Sequence, residues 1–200
     1  MKKIIFATGN KNKLKEIKEI LPGFDIISAK DAGISIDVEE TGTTFKENAY
    51  IKAKAIWDIT GGIVLSDDSG LEVDYIGGEP GVYSSRYMGE DTSYTVKNQN
   101  IISRLKNAQG NERSARFIAF ICAILDDGTT VFTEGSMEGL IAHTISGENG
   151  FGYDPILFLP EYGKTSAEIS PEEKNKISHR GKALIAMKKK LEEFYEDTDC

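Results

Sequence analysis

The sequence predicts a mixed α/β fold, in which helices flank a central mixed β-sheet, and three observations support this prediction. The chain opens with a short apolar strand and then a helix whose apolar residues recur at helical spacing. Two long strand-like segments in the second half are joined by the turn Asp126-Asp127-Gly128, which predicts an antiparallel pair. The 200 residues, 40% of them hydrophobic, are enough to bury one sizeable core.

The individual elements follow from hydrophobic spacing and from cap residues. Apolar runs and alternation predict strands at residues 3–7, 63–65, 71–76, 115–125, 130–142 and 156–159. Helical spacing predicts helices at residues 13–21, 45–60, 92–107 and 171 to about 195. Thr44 and Glu47 have the spacing of a capping box, and Ser170 with Pro171 opens the last helix. Ser66–Gly70 is predicted to be an acidic turn between two strands. Because neither a repeat nor a linker is evident, we expect one domain over residues 1–200.

Composition excludes several classes of protein. Cys122 and Cys200, the only two cysteines, build neither a disulfide framework nor a paired-cysteine metal site, which suits the cytoplasm. The apolar start is too short for a signal peptide, and residues 117–125 are too short for a membrane helix. The net charge of -8 argues against a non-specific binder of nucleic-acid polymers. We therefore expect a cytoplasmic protein that neither spans a membrane nor coats nucleic acid.

Charge is distributed unevenly along the chain. Residues 1–30 carry seven basic and three acidic side chains, residues 163–190 carry eight and three, and the middle is strongly acidic. Such a distribution suits a site in which lysines hold a polyphosphate and carboxylates hold a divalent cation. The alternative is that the lysines only solvate two helices.

The turn after the first strand is a candidate phosphate cradle. A helix N-terminus offers unpaired N–H groups and a positive dipole end, to which anions bind readily. The residues of this turn add further donors, and they are Thr8, Gly9, Asn10, Lys11, Asn12 and Lys13. The spacing of a Walker A loop is missing, so an ordinary turn and helix cap is the alternative.

Two acidic segments are candidates for holding a cation. Glu39 and Glu40 precede a helix on which Asn48 and Lys52, four residues apart, share one face. Two aspartates follow the apolar strand within Ser66–Gly70. Burial of two adjacent carboxylates costs free energy, and this cost is understandable if they bind a cation or activate a water. Solvated glutamates and an aspartate turn bonded to its own backbone are the alternatives.

The last candidates are an aromatic loop and a basic pair. Phe151, Tyr153 and Asp154 stand among glycines in the loop of residues 147–155, where an aromatic face could stack on a base and a carboxylate or a backbone group could read its edge. His179 and Arg180 supply planar donors that suit a purine edge or a phosphate. The alternatives are that both aromatics belong to the core and that the basic pair is surface decoration.

Taken together, these segments resemble the inosine triphosphate pyrophosphatases, also called XTP/dITP diphosphatases. The matching segments span residues 7–184 and read ATGNKNKLKEI, EETGTTFKENAYIKAKA, SDDSGLEVDYIGGEPGVYSSRY, GENGFGYDPILF and SPEEKNKISHRGKAL. The resemblance implies an elongated mixed sheet in two lobes, with the active site in a cleft between them, and a homodimer.

The resemblance also implies a role for each candidate residue. It puts Lys52 and the turn of residues 8–13 around the triphosphate, and Ser69 beside the substrate. It puts Asp68, together with Glu39 or Glu40, at a Mg²⁺ ion, and makes Asp68 the proton acceptor. From the residues alone, either Asp68 or Asp67 can help to deprotonate the attacking water. The residues that hold the purine and its sugar-phosphate are then Phe151, Gly152, Tyr153, Asp154, Lys174, His179 and Arg180.

The implied activity is Mg²⁺-dependent hydrolysis of aberrant purine nucleoside triphosphates, namely ITP, dITP, XTP and dXTP, to the monophosphate and pyrophosphate. This activity would remove them from the nucleotide pool. One alternative is a pyrophosphatase of the same architecture that prefers other bases, since a fold does not determine the substrate. The other is a nucleotide sensor that binds a triphosphate without hydrolysing it. Which residue rejects GTP is left open.

Overall fold

A computed structural model describes residues 2–36 and 38–196, so that Cys200 lies outside the described residues. The strands are β1 (Lys3–Ala7), β2 (Asp25–Ser28), β3 (Ile63–Val73), β4 (Ser114–Ile124), β5 (Thr130–Ile141), β6 (Leu157–Leu159) and β7 (Lys164–Thr165). The α-helices are α1 (Lys11–Ile20), α2 (Phe45–Thr60), α3 (Tyr94–Arg104), α4 (Pro171–Ile177) and α5 (His179–Glu196). Within the described residues, no helix combines the length and the apolar character needed to cross a membrane.

The strands form one seven-stranded sheet in the order β2-β1-β3-β4-β5-β6-β7. At one end, β1 pairs in parallel with β2 and β3, and Ile4 lies opposite both Ile26 and Ile63. At the other end, β6 pairs antiparallel with β5 and β7. Parallel neighbours require a crossover, which α1 supplies between β1 and β2. The predicted mixed α/β class is confirmed.

The chain divides into two compact units. The first comprises residues 1–68, 119–135 and 180–200, and the second comprises residues 69–118 and 136–179. Two units agree with the two lobes that the resemblance implies. The cleft between the lobes and the single catalytic domain over residues 1–200 stay predictions.

Each unit has its own apolar core. In the first unit, Ile4 and Phe6 of β1 belong to one cluster and Ala7 to another, because side chains alternate between the faces of a strand. The first cluster includes Ile17 of α1, and the second includes Ala53 of α2. Burial on both faces explains why β1 reads as a continuous apolar run. The second unit has a separate core, which includes Leu71, Ile101, Phe117, Met137 and Ile156.

Cap residues set the helix starts. The Thr44 hydroxyl accepts from the Glu47 N–H, and the Glu47 carboxylate accepts from the Thr44 N–H, so the predicted capping box is confirmed. Ser170 caps α4 in the same way, with Pro171 at the first helical position. The Asn10 carboxamide caps α1, which therefore begins slightly earlier than predicted.

The predicted acidic turn at Ser66–Gly70 is wrong. These residues lie inside β3, which runs without interruption from Ile63 to Val73. Asp67 and Asp68 are only 1% and 6% exposed. Local turn propensity is overridden here, because sheet pairing satisfies the backbone and basic side chains neutralise the carboxylates.

Other sequence predictions also need correction. The short strands β2 and β7 were not predicted, because four and two residues give little periodicity. The single helix predicted from residue 171 to about 195 is two helices. Ser178, whose backbone is extended, separates the end of α4 from the start of α5. The strand predicted at residues 130–142 ends at Ile141, and His143 lies beyond it in an exposed bend.

Arg113 joins the end of α3 to the end of β5 in the second unit. Its side chain is only 3% exposed. The guanidinium donates to the carbonyl oxygens of Leu105, Ile141 and Ala142 at 2.7, 2.6 and 2.9 Å. One side chain therefore satisfies carbonyls from two elements that lie far apart in the sequence.

We expect the substitution Arg113→Leu to lower the free energy of unfolding by about 3 kcal/mol, because it leaves several carbonyl groups without their donor. Urea denaturation measures this loss. Arg116→Leu is the matched control, since Arg116 pairs with the partly exposed carboxylates of Asp74 and Glu138. Exposed ion pairs contribute little, so the control should lose less than about 1 kcal/mol. Equal losses for the two variants would contradict the assigned role of Arg113.

Candidate active site

Asp67 lies at the centre of an ion-pair network in the first unit. The Arg180 Nε donates to Asp67 Oδ2 at 2.8 Å, and the Lys13 ammonium donates to Asp67 Oδ1. The Arg180 Nη1 also donates to Glu16 Oε2 at 2.5 Å. The network therefore joins α1, β3 and α5 through alternating charges.

The surrounding charges keep Asp67 ionised. Burial acts to raise the pKa of Asp67, but the positive charges of Arg180 and Lys13 outweigh it and hold the pKa well below its usual range. Burial in turn acts to lower the pKa of Arg180, and the carboxylates of Asp67 and Glu16 outweigh it and raise that pKa. These charges stabilise one another, which suits a structural anchor.

Asp68, the next residue of β3, has a different environment. Its Oδ1 accepts from the Lys52 ammonium at 2.8 Å, and the same ammonium donates to Glu40 Oε1 at 2.8 Å. Its Oδ2 is buried and has no hydrogen-bond donor among the described residues. Burial raises the pKa of Asp68, and the charge of Lys52 offsets this only in part. Adjacent aspartates with pKa values shifted in opposite directions are typical of an acid–base site.

The carboxylates near Lys52 fit a magnesium ion. Among residues 2–36 and 38–196, no group of three or more His, Cys, Asp or Glu side chains forms a metal cluster. Mg²⁺ needs only one or two carboxylates, because it retains several waters and takes phosphate oxygens from a nucleotide. Asp68 and Glu40 converge on one ammonium, which brings two carboxylates close together. Glu39, the other predicted ligand, is exposed on the same loop.

In the predicted phosphate cradle, the Asn10 side chain already bonds to two of the N–H groups at the start of α1. Asn10 Oδ1 accepts from the N–H groups of Asn12 and Lys13 at 2.9 and 3.3 Å, and Thr8 Oγ1 accepts from the Asn10 N–H at 3.1 Å. The exposed residues of the turn are Gly9, Asn10, Lys11 and Asn12. The ordinary cap is therefore present, and phosphate binding by this turn stays a prediction.

A buried carboxylate also organises the aromatic loop of the second unit. Asp154 Oδ2 accepts from the Lys174 ammonium at 2.6 Å and from the Phe151 N–H at 2.8 Å. Asp154 Oδ1 accepts from the Ser166 hydroxyl at 2.8 Å. The Lys174 ammonium lies 5.2 Å from the centre of the Phe151 ring. Three hydrogen-bond donors near the predicted base site are thus connected through one carboxylate.

The close packing of this loop requires glycine at two positions. Gly147 has a φ of 86°, and a Cβ there would lie 2.4 Å from the Ala167 carbonyl carbon. Gly150 has a φ of 74°, and a Cβ there would lie 2.2 Å from Asp154 Oδ2. Any other residue would strain the backbone and displace the carboxylate.

Tyr153 belongs to the core rather than to an exposed face. Its ring is buried in the cluster of the second unit, and its hydroxyl donates to the Ser84 carbonyl at 2.8 Å. Phe151 and Gly152 remain partly exposed. Of the two aromatics, Phe151 is therefore the one accessible for stacking.

The basic pair of the last helix is buried. The His179 ring stacks on Phe117, with ring centres 4.9 Å apart. Arg180 bonds to Asp67 and Glu16, as described above. His179 and Arg180 are therefore not solvent-exposed surface residues, and their contact with a purine stays a prediction. Ser69, directly after the two aspartates, is partly exposed.

Two residues of these networks were missed from the sequence. Glu16 follows Lys13 by three residues and so shares its helix face, which is a usable but weak signal. Ser166 follows the two-residue strand β7 and carries no local signal.

The family model, the related sequences and the solved structures that this chain matches all point to one family. A model of the Ham1 family matches residues 4–190. A dITP/XTP pyrophosphatase of Clostridium perfringens is 50% identical, over 96% of this chain and 98% of the relative. A dITP/XTP pyrophosphatase of Bacillus subtilis is 45% identical, over 96% and 98%. The Ham1 protein structure from Staphylococcus aureus is 40% identical with a TM-score of 0.87, over 96% and 98%. A HAM1 protein structure from Coxiella burnetii is also 40% identical with a TM-score of 0.87, over 96% and 100%.

The two aspartates should contribute differently to stability. We expect Asp67→Asn to lower the free energy of unfolding by about 3–5 kcal/mol, because Arg180 and Lys13 lose the charge that compensates them. We expect Asp68→Asn to change it by less than about 1 kcal/mol, because burial already disfavours the ionised form of Asp68. Urea denaturation in metal-free buffer compares the two isosteric variants. An Asp67→Asn variant as stable as the unsubstituted protein would show that the network is not an anchor.

Proposed function

The chain belongs to the Ham1 family, and from this membership we propose that it hydrolyses aberrant purine nucleoside triphosphates to the monophosphate and pyrophosphate. ITP, dITP, XTP and dXTP are the proposed substrates. One observation carries the proposal: two adjacent buried aspartates of β3 have opposite environments, one ionised by its partners and one with an unused carboxylate oxygen. The relatives named dITP/XTP pyrophosphatase support the choice of substrate class.

The lysines of the first unit would bind the triphosphate. Lys13 and Lys52 are both partly exposed and already pair with carboxylates. A triphosphate offers them further anionic oxygens, so they can stabilise the charge that develops on the leaving pyrophosphate. Lys11 and the polar turn before α1 would add donors at the same end of the helix.

Asp68 would accept the proton of the attacking water. Its Oδ2 has no donor among the described residues, so it can take a proton without breaking an existing hydrogen bond. The water then attacks the α-phosphorus, the bond to the bridging oxygen breaks, and pyrophosphate leaves. Asp67, held by Arg180 and Lys13, would keep β3 in position during this step.

Asp68, together with Glu39 or Glu40, would hold Mg²⁺. When bound, the ion neutralises phosphate charge and polarises the phosphoryl oxygens. Such a counter-charge is useful here, because two carboxylates, Glu40 and Asp68, already share the ammonium of Lys52. A tetra-anionic substrate would otherwise be repelled.

The aromatic loop would select the base. Hypoxanthine and xanthine carry a carbonyl at position 6, where adenine carries an amino group. Both oxygens of Asp154 are bonded, so backbone groups of the loop and the side chains of Lys174, His179 and Arg180 are better candidates for reading this edge. A donor that faces an amino group in a buried site disfavours binding by several kcal/mol, on the order of 10⁴-fold.

The proposal also includes a cytoplasmic location and a homodimer. The mass of the native protein in solution would test the homodimer.

We expect pyrophosphate release from ITP and XTP to exceed release from GTP and ATP by about 100-fold or more at equal concentration. Chelation of Mg²⁺ should abolish it. Titration of Mg²⁺ with Glu39→Gln and Glu40→Gln then identifies the second ligand, because only loss of a ligand raises the Mg²⁺ requirement strongly. Tight binding of ITP without release of pyrophosphate would support the sensor instead, and preferred hydrolysis of a pyrimidine triphosphate would support a different base preference.

Asp68→Asn should reduce turnover of ITP by about 10²–10⁴-fold, because the proton acceptor is lost. The dissociation constant for ITP should change little, since the lysines and the aromatic loop remain. Calorimetry and pyrophosphate release measure the two quantities. Glu72→Gln is the matched control, because Glu72 is a partly exposed carboxylate of the same strand. Substantial turnover by the Asp68→Asn variant would remove Asp68 from the mechanism.

A further inference from the structure

One face of α3 supports the aromatic loop from within the second unit. Tyr94, Lys97 and Asn98 occupy this face, because residues three and four apart are neighbours on a helix. Lys97 and Asn98 are only 1% and 2% exposed, which is unusual for polar side chains of a largely polar helix. Their burial calls for partners, and these lie in the aromatic loop and in the segment of residues 84–85.

Asn98 bonds directly to the backbone of the loop. Its Nδ2 donates to the Gly152 carbonyl at 3.1 Å. Its Oδ1 is buried and has no hydrogen-bond donor among the residues that the structure describes. A buried amide with an unsatisfied oxygen does not favour stability, so a residue retained in this state is a candidate for a functional role.

The loop backbone is held at both ends of a two-residue stretch. The N–H of Phe151 donates to Asp154, and the carbonyl of Gly152 accepts from Asn98. The Gly152 carbonyl belongs to the peptide group that joins Gly152 to Tyr153, so the bond from Asn98 acts directly on that group. The preceding peptide, from Phe151 to Gly152, is held by the loop itself, because the Phe151 carbonyl accepts from the Asp154 N–H at 3.3 Å.

Tyr94 and Lys97 strengthen the same support. The Tyr94 ring meets Tyr153 edge to face at 5.2 Å and lies 3.6 Å from the Cβ position of Gly152. The Tyr153 hydroxyl donates to the Ser84 carbonyl, and the Lys97 ammonium donates to the Ser85 carbonyl at 2.7 Å. The helix thus holds both the loop and the segment to which the loop is bonded.

We propose that Asn98 is a positioning residue for base selection, which orients the Gly152–Tyr153 peptide by fixing the Gly152 carbonyl. A peptide group presents a donor and an acceptor in opposite directions, so its orientation decides which purine edge it can pair with. The inference rests on the proposed function, because it takes the aromatic loop to be the part that contacts the purine. Without Asn98, the peptide can rotate, and purines with the wrong edge are rejected less well.

The substitution Asn98→Leu tests this role, because leucine has nearly the shape of asparagine but cannot donate. We expect the ratio of kcat/KM for ITP to that for GTP or ATP to fall more than threefold against at least one competitor. The ratio is insensitive to a lower fraction of folded enzyme, which reduces all rates equally. Gln99→Leu is the matched control, since Gln99 is the exposed neighbour on the same helix. Its ratios should stay within threefold of those of the unsubstituted protein.

Ratios within threefold for Asn98→Leu as well would overturn the proposal. If Asn98→Leu does not fold, Asn98→Ala provides the same test, because alanine also removes the donor to the Gly152 carbonyl and adds no bulk. Unsubstituted protein that hydrolyses none of the nucleotides would refute the proposed function and not this inference. The dissociation constants of ITP, GTP and ATP, measured by calorimetry with chelator, give the same ratios without turnover.

Discussion

The burial of an ionised carboxylate in β3 is the constraint on which the first unit depends. Asp67 lies within a strand that is buried along most of its length, and a charge in such a place is tolerated only when it is paired and hydrogen-bonded. Arg180 and Lys13 provide the pairing, from α5 and α1. The position of β3 is therefore tied to two helices, and Glu16 ties these helices to each other through Arg180.

This constraint gives the two aspartates distinct chemistry. Their side chains point to opposite faces of the strand, so one meets the cations of α1 and α5 and the other meets Lys52 of α2. The first is kept ionised, and burial raises the pKa of the second. A rigid anchor next to a proton acceptor is an efficient arrangement, because Asp67 fixes the strand while Oδ2 of Asp68 stays available to accept a proton.

The second unit also contains a buried carboxylate that is paired and hydrogen-bonded, and here the pairing shapes a loop. Asp154 is buried, but it bonds to a lysine, a hydroxyl and a backbone N–H, so its charge is used to shape a loop. Gly147 and Gly150 permit the close approach that this requires. Asn98 and Tyr94 hold the loop from the helix side. The loop is thus a preorganised element, which is what selection between similar purines demands.

Local signals in the sequence determined the capped starts of α2 and α4 and the long hairpin strands, and they suggested most candidate residues. The capping boxes at Thr44 and Ser170 act over three residues, and alternation in β4 and β5 acts over two, so both can be read without a structure. Only the tertiary structure decided that Ser66–Gly70 is a strand, that Tyr153 is in the core, and that Arg180 bonds to Asp67, 113 residues away. The physical reason is that local propensity is worth less than burial and charge pairing, and the partners that decide those energies come from distant parts of the chain.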